Sequence, residues 1–67
     1  MELLKALAKQ NDAEIARALA NIVIYTDHPA GIGEHPDLVE AVDTQVQALA
    51  NADEKLKTLK EYYDITI

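Results

Sequence analysis

Two acid–histidine–proline units, Asp27-His28-Pro29 and Glu34-His35-Pro36, stand seven residues apart around Gly31 and Gly33. Imidazole beside carboxylate is a ligand chemistry that suits zinc and other divalent transition metals. His28 and His35 are therefore the candidate metal ligands. Asp37, or the loop of a second subunit, would complete the set. Their spacing matches no established zinc signature. A purely local reading competes with the metal: His28 ends one helix, His35 precedes the next, and the acids are solvated or capping.

Covalent catalysis finds little material. The chain has no cysteine and no serine, and its hydroxyls belong to Thr26, Thr44, Thr58, Thr66 and three tyrosines. An acid–base pair of His28 or His35 with Glu34 is chemically possible. A chain of 67 residues has little room for a substrate pocket unless subunits build one between them. Gly31-Ile32-Gly33 lacks the lysine and hydroxyl of a phosphate loop and the third glycine of a dinucleotide fingerprint. The expectation is a non-enzyme with no cofactor.

Helices must position this loop. From Glu2 to about Tyr25 the apolar residues Leu4, Leu7, Ala8, Ile15, Ala18, Leu19, Ile22 and Tyr25 recur at steps dominated by three and four, which is helical spacing. Asn11 falls on that stripe. It either caps a second helix, with Glu14 completing a capping box, or sits as a polar residue in the seam of one continuous helix. The stripe keeps its phase across Asn11, which favours continuity. Val23 and Ile24 weaken the helix near its end, where it could stop at about Ala20, but Ile22 and Tyr25 hold the phase. The connection, residues 26–36, contains every proline and glycine of the chain and is longer than most helix–helix loops.

A second helix is predicted over about residues 37–63, with Pro36 suited to its first position. Asp37, Glu40 and Asp43 open it, and Lys55, Lys57 and Lys60 lie near its end, in the order the helix dipole favours. Its stripe is Leu38, Val42, Gln45, Leu49, Ala52, Leu56, Leu59 and Tyr63, with Val46 beside it. The tail, residues 64–67, reads as a short β-type stretch. It is either a frayed end or a segment whose Ile65 and Ile67 tuck into a neighbouring subunit.

The sequence thus predicts a single all-α domain, an antiparallel two-helix hairpin. One hairpin buries only the stripe between its helices, and ordering such a chain costs on the order of 100 kcal/mol of conformational entropy. Disulfides cannot help, because there is no cysteine. Association with a second copy would bury more, and a homodimeric four-helix bundle is the expected assembly. Eleven alanines and no Phe or Trp suit close helix packing.

Charge narrows the partners. Twelve acids against six bases give a net charge of −6, and no Lys or Arg lies between Arg17 and Lys55. That argues against a nucleic-acid binder, which needs a basic face for phosphates. The acidic middle reads first as solubility and dipole matching, and second as a docking face for a basic partner or a mimic of nucleic-acid charge. No apolar run approaches the length of a membrane span, and the first residues lack the pattern of a signal peptide. The expected location is the cytoplasm. An interaction protein is the leading class. Its candidate contact elements are the 26–36 loop, the acids Asp37, Glu40 and Asp43, and Tyr62 with Tyr63.

The stretch from Asp27 to Ala41, built on the pattern His-Pro-x-Gly-x-Gly-Glu-His-Pro, together with the Ala/Glu/Lys/Leu-rich helix after it, resembles small uncharacterised proteins of tailed phages, particularly those of marine bacteria. The likeness spans roughly residues 25 to 63 and leaves out the first helix. It implies a phage accessory or regulatory protein working in a bacterial or phage-infected cell, with a host or phage protein as partner. No catalytic or binding residue is carried over with it.

Overall fold

The computed structural model describes residues 1–28 and 37–67. Two helices of equal length, α1 (Glu2–Asp27) and α2 (Leu38–Tyr63), pack side by side as a rod of 44 × 16 × 15 Å. The predicted hairpin is present, and the described residues contain no strand. No helix among them is long and apolar enough to cross a membrane.

Helix α1 runs unbroken through Asn11, which is buried and donates from Nδ2 to the Leu7 carbonyl at 2.9 Å. Asparagine prefers to compete with the backbone at caps and turns. Here its amide finds the carbonyl one turn back, so it is satisfied without breaking the helix. The β-branched residues near the end do not stop α1, which continues two residues past Tyr25. Thr26 closes the last turn by donating its hydroxyl to the Ile22 carbonyl at 2.7 Å. His28 follows in a non-helical conformation (φ −134°, ψ 56°), outside the α region that a following proline disfavours.

Helix α2 starts one residue later than predicted. Asp37 is its N-cap rather than part of its first turn, and Oδ1 accepts the Glu40 N–H at 2.9 Å. Pro36, assigned above to the first helical position, lies outside the described residues, and Leu38 takes that place. Asp37→Ala is expected to lower stability by about 1 kcal/mol, read as a lower thermal midpoint at fixed protein concentration.

Small residues make the seam. Ala8, Ala18 and Ala52 are buried, and the larger buried residues are Leu59 and Ile65. Alanine at the contact lets helices approach closely, but it removes little apolar surface from water. Asn21 of α1 donates from Nδ2 to Gln45 Oε1 of α2 at 3.2 Å, so the seam also carries a polar pair.

Three stripe residues are not in the seam. Leu7 and Leu19 are exposed because each stands at the margin of its stripe and a single partner helix covers only a narrow arc, whereas Tyr63 is in phase with Ala52 and Leu59 but is the last residue of α2. The tail also departs from both expectations. Asp64 adopts the left-handed conformation (φ 55°), and the Ile65 N–H bonds the Leu59 carbonyl at 3.2 Å. This turn folds Ile65 back onto Ala8 and Leu59 of its own chain, with Leu4 and Leu56 beside them. Ile65 therefore needs no second subunit for its burial, while Ile67 stays exposed.

Candidate functional site

The hairpin puts His28 and the first turn of α2 at one end of the rod and both chain termini at the other. His28 is exposed at the C-terminal cap of α1, where its backbone N–H bonds the Ile24 carbonyl at 2.9 Å. Glu34 and His35, the other half of the predicted ligand set, lie outside the described residues. Among the described residues no three His, Asp or Glu side chains are grouped so as to hold a metal ion.

Of the predicted acidic contact residues, Asp37 is engaged in capping, while Glu40 and Asp43 are exposed on the opening turns of α2. Tyr62 and Tyr63 are exposed at the opposite end. The loop end and the tyrosines are thus separated by nearly the length of α2, about 39 Å at 1.5 Å per residue. They cannot form one compact site within a single chain.

Bases and acids are distributed unequally along the rod. The antiparallel pairing brings Lys5 and Lys9 of α1 to the same end as Lys55, Lys57 and Lys60 of α2, interspersed with acids. Lys57 pairs with Asp53 at 3.0 Å, and that hydrogen bond and the carboxylate charge hold the lysine above its ordinary pKa. Lys5 pairs with Glu2 at 3.9 Å, and Arg17 with Glu14. All three pairs join residues of one helix at the surface, where ion pairs contribute little to stability.

Shallow grooves run along both flanks. One, of about 260 Å³, lies between Leu7, Gln10 and Glu14 of α1 and Ala48, Asn51 and Lys55 of α2. Another, of about 210 Å³, lies between Asp12 of α1 and Leu56, Lys57 and Lys60 of α2. These two sets of residues define opposite flanks of the rod. No histidine lines either groove.

No family model, curated protein or solved structure matches the chain.

The feature that motif reading overlooked is apolar and diffuse. Leu3, Leu19, Val23, Val39 and Val46 are large, apolar and exposed. The signal was present in the sequence: Val39 and Leu3 are apolar but stand off the stripes that face the seam. Periodicity records which face a helix buries first, and it says less about apolar residues outside that face.

Proposed function

We propose that the chain is a small self-associating interaction module that acts by binding, in the manner of a phage accessory protein, and that its working form is a homodimer. The observation carrying this reading is the balance of apolar surface. The described residues bury only five apolar residues, three of them alanines, while Leu3, Val39 and Tyr62 stand 87%, 80% and 72% exposed. Single exposed apolar residues are ordinary, but a small hairpin that exposes this many alongside so slight a core is short of buried surface. A second hairpin would supply it. The resemblance of the 27–41 stretch to tailed-phage proteins supports an accessory role with a host or phage protein as further partner.

The test is solution mass by light scattering after size exclusion, with and without chelator. A mass of twice the chain that chelator leaves unchanged is the expected result. A cooperatively folded monomer at micromolar concentration would sink the reading. Dissociation on adding chelator would instead make His28 and His35 a metal site that holds the assembly together.

A further inference from the structure

One polar side chain in the seam carries a group that the fold leaves without a partner. Asn11 is 5% exposed, and its Nδ2 donates to the Leu7 carbonyl. Its Oδ1 accepts no hydrogen bond from the described residues. Every fully buried side-chain nitrogen and oxygen among those residues has a partner, so Oδ1 must reach solvent. Asn11 lines the groove of about 260 Å³, which is where Oδ1 opens. The register of the seam then sets a cation beside this acceptor. Asn21 bonds Gln45, and ten residues farther toward the termini on each helix stand Asn11 and Lys55. Equal steps of ~15 Å along antiparallel helices bring the two level, and both line the groove. Lys55 has no ion-pair partner among the described residues. Gln10 and Asn51 line the same groove with side-chain amides that bond nothing else among those residues, and Leu7 gives it an apolar wall.

We propose that this groove binds a free α-amino acid with an aliphatic side chain. Lys55 calls for an anion, and Asn11 Oδ1 for an N–H donor. An α-amino acid carries a carboxylate and an ammonium on one carbon, so a single small molecule satisfies both. The remaining ammonium hydrogens meet the amide oxygens of Gln10 and Asn51, and the side chain lies against Leu7. Other ligand classes fit the groove less well. A divalent cation needs several carboxylate or imidazole ligands. Glu14 is the one such residue lining the groove, and its carboxylate is engaged by Arg17. A nucleotide needs more than one cation for its phosphates, and the volume lies below the ~300 Å³ at which pockets for larger ligands begin. The proposal also explains a polar residue in a seam where an aliphatic one would pack. An acceptor discriminates between ligands best where little water competes for it. The site lies within one hairpin and stands independently of the self-association proposed above.

The test is a titration of the isotope-labelled full chain with L-leucine, followed by the side-chain amide signals of Asn11, Gln10 and Asn51 in nuclear magnetic resonance. A saturating shift of all three is the expected result. Isocaproate, which is leucine without its ammonium, and isopentylamine, which lacks the carboxylate, should each bind about tenfold more weakly or worse. Asn11→Leu and Lys55→Met should each lower the affinity for leucine by about tenfold or more, read from the amides that remain. Lys55 is exposed, so Lys55→Met keeps the hairpin by circular dichroism and decides the matter should Asn11→Leu fail to fold. No saturating shift in the wild type would overturn the site. Isocaproate binding as tightly as leucine would overturn the amino acid as its ligand. Unchanged affinity in the variants would overturn the groove as its location.

Discussion

Ile65→Ala is expected to cost about 2–5 kcal/mol, the range for removing a large aliphatic side chain from a packed site. A chain of this length has about 3–10 kcal/mol of stability in total, so the substitution would consume much of it. The thermal midpoint should fall on the order of 10 °C or more at fixed protein concentration. The reason is local. Ile65 is buried against Ala8 and Leu59, with Leu4 and Leu56 completing the cluster. That cluster ties the end of α2 to the start of α1, where neither helix has a further turn to lean on. Ile67→Ala supplies the control. Ile67 is exposed within the hairpin, and its truncation should move the midpoint by less than about 0.5 kcal/mol equivalent. An equal loss from both variants would mean that another chain covers the tail, as one reading of the sequence supposed. No loss from either would mean that the left-handed turn at Asp64 does not hold in solution.

What the sequence revealed of the fold follows from how much each feature depends on neighbours in the chain. Helical spacing, the proline–glycine connection and the charge order of α2 are local, and the hairpin they predict is the one observed. The continuity of α1 through Asn11 was legible for the same reason, since the phase of the stripe does not change there. The tail was not legible. Asp64-Ile65-Thr66-Ile67 has β-type residues, and only the left-handed turn at Asp64 shows that Ile65 returns to the seam. The Asn21–Gln45 pair was hidden too, because it depends on the register of one helix against the other. As for the site, His28 is found at the end of α1 as read, but the histidine pattern concentrated attention on the loop. The exposed apolar residues, Leu3, Val39 and Tyr62 among them, belong to no motif, and only the packing of the two helices shows which apolar residues the seam leaves uncovered.

Asn11 provides the second large effect, because the residue is 5% exposed and its amide donates within its own helix. Nδ2 donates to a carbonyl, so a group that can only accept would face another acceptor. Asn11→Asp is therefore expected to cost about 2 kcal/mol or more at neutral pH, from a buried carboxylate without its donor. Lys55 lines the same groove and would offset part of this without restoring the lost bond. The pH dependence has a definite sign. Burial raises the folded pKa of the introduced carboxyl above the unfolded value of about 3.9, so the deficit relative to wild type is absent below that pH. It grows as pH rises from there and is complete above the raised folded value. Asn11→Leu should do the opposite of Asn11→Asp. It removes both the polar atoms and their need for partners, and the adjoining groove gives its methyls room, so a gain of about 1 kcal/mol is expected. A polar residue in a helix seam also selects register and oligomer state. Asn11→Leu should therefore be followed by solution mass as well as by thermal midpoint. A higher midpoint with unchanged mass makes Asn11 a residue that the fold carries at a cost in stability. A higher midpoint with a mixture of masses makes it a residue that selects one assembly over others. A lower midpoint would mean that the bond to the Leu7 carbonyl contributes more than the polar atoms cost to bury.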